Sequence, residues 1–107
     1  MIIAVDFDDT ITESAEYPIM GKIRPEAVRV LKRLKEAGHI LILWTCREGK
    51  YLEEAVNALI DNDVYFDRVN ENYISAETRK IIADLYIDDR ALGGITDWNS
   101  IEKYLLQ

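Results

Sequence analysis

Carboxylates gather at two places in this chain. MIIAVDFDDT carries Asp6, Asp8 and Asp9 directly after an apolar run, and DLYIDDR ends a second apolar run in Asp88 and Asp89. Between them stands LILWTCR, a further apolar run that closes on Thr45, Cys46 and Arg47. Two carboxylates about 4 Å apart repel by roughly 1 kcal/mol in water and roughly 4 at an effective dielectric near 20. Several of them crowded together must take up protons or share a cation. Hard oxygen ligands in small number suit Mg2+, which keeps several waters and shares its shell with a substrate phosphate.

Plainer readings exist for each residue taken singly. Asp and Thr after a strand commonly cap a helix or form a turn, and Asp9, Thr45 and Asp89 each fit that description. It is their conjunction that points to a site. A calcium loop over DFDDTITESAEY fails, because its sixth position is Ile11 instead of Gly and its twelfth is Tyr17 instead of Glu. Cys46 reads as a small buried filler, having no His near it in sequence, and His39 at a strand start reads as structural. KRLKE at 32–36 is a solvated helix face.

The elements that must position the carboxylates follow from the apolar period. Ile2 to Val5 and HILILWT at 39–45 are continuous apolar runs, as in strands of a parallel sheet buried on both faces. Between them Pro25 opens a helical period through Val28, Leu31 and Leu34 that stops at Gly38. Glu48 to Asn62 repeats the pattern with Leu52, Val56, Leu59 and Ile60 on one face. VYFDRV is an outer-strand candidate, Ala83 to Ile87 a fourth strand, and Trp98 to Leu106 a closing helix. Strands alternating with helices predict a doubly wound, mainly parallel α/β sheet in a three-layer α/β/α sandwich, with residues 1–107 as one domain. In such a sheet ligands bind outside the carboxyl ends of the strands, where Asp6, Asp8, Thr45, Cys46, Arg47, Asp88 and Asp89 all fall.

Composition narrows the function. The chain has 107 residues, 49% of them hydrophobic, and a net charge of -7. That length builds one core, and that charge disfavours nucleic acid and anionic membrane as partners. No apolar stretch approaches the roughly 18 residues of a membrane span. A lone cysteine excludes an internal disulfide. With an N-terminus that opens on a strand pattern and not a signal peptide, the expected location is the cytoplasm.

Asp6-Phe7-Asp8-Asp9-Thr10 after an apolar strand resembles the first motif, DxDx[TV], of the haloacid dehalogenase-like (HAD) superfamily. LILWT ending in Thr45 resembles its second motif, and YIDD ending in Asp88 and Asp89 its acidic fourth. For the basic third motif, Lys80 in TRKIIADLYIDD is the choice and Arg79 the alternative. The resemblance implies a Rossmann-like HAD fold and a Mg2+-dependent phosphatase, in which Asp6 is the nucleophile that becomes phosphoaspartyl and Asp8 the acid and base. It implies metal binding by Asp6, the Asp8 carbonyl, Asp88 and, more distantly, Asp89. Thr45 and Lys80 would face the phosphoryl group, with Cys46 and Arg47 beside them as substrate contacts. Aspartate at position 8 separates this pattern from the dehalogenases, which lack it, and from the pumping ATPases, which carry threonine there.

Only Ile11 to Ile23 and a short stretch after Arg68 are available for a cap, so the chain resembles a minimal, uncapped member acting on small phosphorylated substrates. Its open site would be completed by nothing, by a second copy of the chain or by a large substrate. Two other classes stay open at this level. One is a phosphoacceptor domain similar to response-regulator receivers, although these place the acceptor Asp after the third strand and the Lys after the fifth. The other is a catalytically silent domain that binds a phosphorylated ligand.

Overall fold

The computed structural model describes residues 1–94 and 97–106. Among them a four-stranded parallel sheet runs in the order β3-β2-β1-β4. It is built from β1 (Ile2–Val5), β2 (Ile40–Leu43), β3 (Arg68–Val69) and β4 (Leu85–Ile87), with helices α1 (Pro25–Glu36), α2 (Gly49–Asp61) and α3 (Trp98–Leu106). The strands and helices read from the apolar period are all present. VYFDRV, however, pairs only at Arg68 and Val69.

Local chemistry sets the boundaries of α1. Pro25 occupies its first turn, where a missing N–H costs nothing. At the other end Gly38 has a φ of +91°, the left-handed conformation that ends a helix most easily when there is no Cβ.

The strand register sorts the core into two sides. Ile3 pairs with Leu41 and Leu85, and Val5 with Leu43 and Ile87, so these residues share one face of the sheet. They form one buried cluster with Ala27, Val30, Leu31 and Leu34 of α1, Ala55 and Leu59 of α2, and Trp98 and Ile101 of α3. Ala4 and Ile42 point the other way and meet Ile81, with Ile2 and Ala83 packed at the margin. The doubly wound arrangement is therefore present, but where a three-layer α/β/α sandwich calls for a helical layer the second cover is an irregular strap, residues 70–84. The topology explains the side. Winding outward from β1 through β2 to β3 keeps α1 and α2 together, and the return to β4 across β1 must pass over the opposite face.

The strap is tied by polar side chains. The Asn72 amide accepts from the Ile82 N–H at 2.6 Å, and the Tyr86 hydroxyl donates to the Ile81 carbonyl. At the amino edge of the sheet Asp84 closes a reciprocal pair, its N–H donating to the Ile2 carbonyl at 2.7 Å and its carboxylate accepting from the Ile2 N–H at 2.7 Å. Asp67 does the same work on the other side, accepting from the Leu41 N–H at 2.8 Å and from Lys35 Nζ at 2.7 Å.

One contact ties the closing helix to the first loop. The buried indole N–H of Trp98 donates to the Thr10 carbonyl at 2.8 Å. Replacing Trp98 with Phe keeps an aromatic ring but leaves that carbonyl unpaired. The expected loss is about 1–3 kcal/mol of unfolding free energy, measurable by urea denaturation. A loss no larger than that of an exposed substitution such as Tyr104→Phe would show that the bond does not hold the loop.

Candidate active site

The ladder runs on past the strand ends and fixes what stands there. The Asp6 N–H donates to the Ile87 carbonyl at 2.9 Å, and the Trp44 N–H to the Val5 carbonyl at 2.9 Å. Asp6, Thr45 and Asp88 are thereby delivered to one edge of the sheet from three adjacent strands. After Asp6 the chain turns tightly: the N–H groups of Thr10, Ile11 and Thr12 all converge on the Phe7 carbonyl, and Asp9 sits at a φ of +66°. Asp tolerates that conformation better than most residues. The turn carries Thr10 back over Asp6.

Thr10 is the junction of the site. Its fully buried hydroxyl lies 3.0 Å from Asp6 Oδ2 and 3.2 Å from Asp89 Oδ1, and it accepts from the Asp89 N–H at 3.0 Å. Having one proton, the hydroxyl can donate to only one of the two carboxylates at a time. Asp88 turns one oxygen, Oδ1, to the Arg90 N–H at 2.9 Å. Gly94 closes the same loop underneath, where a Cβ would overlap the Asp88 and Ala91 carbonyls.

Carboxylate oxygens of Asp6, Asp88 and Asp89 lie within 4.8 Å of one another, each residue half-buried. The electrostatic consequence falls on Asp6, whose carboxyl is pushed up to about 7. Burial is the largest cause, followed by a hydrogen bond shared with Asp89, with the charges of Asp88 and Asp89 adding to it against the opposing Thr10 hydroxyl. Three hard oxygen donors that must otherwise hold a proton among them fit a divalent cation of the Mg2+ kind. Among the described residues no Lys or Arg forms an ion pair with this trio.

Asp8 lies outside the trio. Both its oxygens are taken by Arg47, Nε to Oδ2 at 2.9 Å and Nη2 to Oδ1 at 2.7 Å. Arg47, expected at the substrate, is instead fully buried and reaches the site only through Asp8. Cys46, expected to be a buried filler, is exposed. Thr45 stands at the mouth, its N–H donating to Asn70 Oδ1 at 2.8 Å and its hydroxyl accepting from the Arg47 N–H at 3.1 Å. The Thr45 hydroxyl proton has no acceptor among the described residues. Lys80 lies on the exposed strap with its ammonium 5.5 Å from the centre of the Tyr86 ring, and Arg79 borders a polar hollow with Asn70, Glu71 and Asn72. The structure thus gathers Asp6, Asp88, Asp89 and Thr10 into one cluster and pairs Asp8 with Arg47, while Lys80 lies over the Tyr86 ring on the strap. Sequence reasoning assigned no role to Thr10 or Asn70. Thr10 was already inside the first motif, whereas nothing in the sequence marked Asn70.

An open parallel α/β sheet with acidic residues at the carboxyl ends of adjacent central strands is the architecture of haloacid dehalogenase-like hydrolases, and the chain belongs to that family, whose profile matches residues 3–106. Among solved structures it is similar to a conserved protein from Bacteroides thetaiotaomicron, at 45% sequence identity and a TM-score of 0.89. That match covers 96% of this chain and 87% of the other. No curated protein matches the chain. No helix of the described residues is long and apolar enough to cross a membrane.

The raised Asp6 carboxyl has a defined sign in stability. Its ordinary value is 3.8 and its folded value about 7, so its contribution is complete below about pH 4 and is lost as pH rises through 7. Without divalent cations, Asp6→Asn should melt several degrees above the wild type at about pH 8, and the two should converge near pH 4. Added Mg2+ should narrow the gap at the higher pH by stabilising the wild type. A gap that is the same at both ends of the titration would remove the charge conflict from the account.

Proposed function

We propose that this chain is a Mg2+-dependent phosphatase that hydrolyses small phosphate monoesters through a phosphoaspartyl intermediate on Asp6. The observation that carries this reading is the division of two neighbouring aspartates: Asp6 stands inside the acidic trio, and Asp8 is held outside it on Arg47. A nucleophile and an acid–base residue need that separation, since one must meet phosphorus and the other the departing oxygen.

Asp6, Asp88 and Asp89 would hold the metal, with the Asp8 carbonyl as a further ligand. When bound, Mg2+ would neutralise the phosphoryl charge and let Asp6 ionise below its raised value. An Asp6 oxygen attacks phosphorus, and the bond from phosphorus to the leaving oxygen breaks with its electron pair going to that oxygen, which takes a proton from Asp8. Water then attacks the same phosphorus, gives its proton to Asp8, and restores the Asp6 carboxylate as phosphate departs. Thr45 donates its hydroxyl to a phosphoryl oxygen, the role for which its bond from the Arg47 N–H leaves it available. Lys80 is assigned as the phosphate cation. The assignment requires it to leave the Tyr86 ring when substrate binds. With no cap beyond the hairpin at 12–23 the site is open, which favours broad activity on small esters. A single exposed cysteine agrees with action in a reducing cytoplasm.

Turnover of an aryl phosphate tests the reading. Activity should require Mg2+ and should fall below about one per cent in Asp6→Asn, which keeps the shape of the side chain but loses the nucleophile. Substantial turnover by that variant would exclude a covalent intermediate at Asp6. Lys80→Ala should lower kcat/KM about 100-fold while Arg79→Ala stays mild, and equally small effects would leave the strap without a catalytic cation.

A further inference from the structure

We propose that Arg47 is a positioning residue whose clamp on Asp8 keeps that carboxylate out of the metal trio and aimed at the side of the site where the leaving oxygen and water exchange. The inference rests on the phosphatase reading for its catalytic part and on the geometry alone for its metal-binding part. Asp8 is two residues from Asp6 in the same turn, yet its carboxylate does not join those of Asp6, Asp88 and Asp89. What prevents it is a guanidinium at 0% exposure that engages both carboxylate oxygens in a planar fork.

Burying an arginine is expensive unless its donors are used and its charge is matched. Here each of its three nitrogens has an acceptor. Nη1 donates to the Tyr51 carbonyl at 3.3 Å, and the guanidinium carbon lies 5.4 Å from the Phe7 ring centre and 5.4 Å from that of Tyr17. Tyr17 belongs to the hairpin at 12–23, which is joined at its base by the Thr12–Ile23 bridge and by Glu13 donating to the Lys22 carbonyl at 2.8 Å. Its ring also meets Tyr51 of α2 edge-on at 5.9 Å. The clamp is thus assembled from the first loop, the hairpin and the start of α2, and a fork set this firmly fixes the plane of the carboxylate it holds. The Asp8 side chain keeps 33% exposure, so its remaining lone pairs face water.

Two measurements decide the point in the full-length protein. Mg2+ binding is followed by calorimetry in the wild type, Arg47→Gln, Asp8→Asn and the double variant. Released from the clamp, Asp8 should join the trio and raise Mg2+ affinity in Arg47→Gln about threefold or more, because ligand charge count sets the affinity of such sites. The gain should vanish in the Asp8→Asn background. A gain of equal size in both backgrounds, or none in either, overturns the proposal, since removal of a nearby positive charge alone would act without Asp8. Turnover supplies the second reading: Arg47→Gln should lose kcat about tenfold or more with little change in KM, and should cost nothing further once Asp8 is Asn. Additive losses would overturn it. If Arg47→Gln does not fold, Arg47→Lys, which keeps the charge and loses the fork, is read by the same two criteria. Should the wild type turn over no phosphate ester, the phosphatase reading fails while the calorimetric comparison still decides the role of Arg47.

Discussion

Like charges forced together at the ends of neighbouring strands are the constraint around which this small fold is arranged. A parallel sheet directs β1 and β4 the same way, so residues that follow them emerge side by side, and in this chain those residues are Asp6, Asp88 and Asp89. The fold tolerates the arrangement because one buried hydroxyl, that of Thr10, bridges two of the three, and because the raised Asp6 carboxyl can hold a proton where no cation is bound. The positive φ of Asp9, the convergence of three N–H groups on the Phe7 carbonyl and the Trp98 bond to Thr10 all place that hydroxyl.

A fourth carboxylate in the same loop is handled by the opposite device. Asp8 is matched by a permanent cation instead of a shared proton, and the match is made by a buried guanidinium whose bidentate fork is directional as well as strong. Two aspartates separated by one residue thereby meet different surroundings.

Much of this was legible in the residues. The apolar runs of β1 and β2, the period of α1 and its stop at Gly38, and the clustering of acidic residues after strands all carry their meaning locally. What escaped depends on partners distant in sequence. Cys46 and Arg47 exchange the burial that their side chains suggest, since a small thiol is the more natural core residue. The inversion follows from Asp8, Phe7, Tyr17 and Tyr51 converging on one guanidinium, and no spacing rule links positions 8, 17 and 47. The strap was invisible for a related reason: its hold on the sheet comes from single anchors such as Ile81 and Asn72, which produce no period.

β1 lies in the middle of the sheet, and its neighbour β4 is synthesised only after most of the chain. A nascent chain emerging from the ribosome can pair β1 with β2 and cover that pair with α1, yet the other edge of β1 stays open until residue 87 has appeared. The nucleophile loop is locked later still, when Trp98 arrives to hold the Thr10 carbonyl. Because the loop that follows β1 is held by Trp98 of α3, the site is not completed before that residue has appeared. The open edge is in the meantime a template for wrong pairing. Vectorial synthesis therefore exposes this fold most at its centre, and a pause in translation between β2 and β4 would prolong that exposure more than a pause anywhere after α3 has begun.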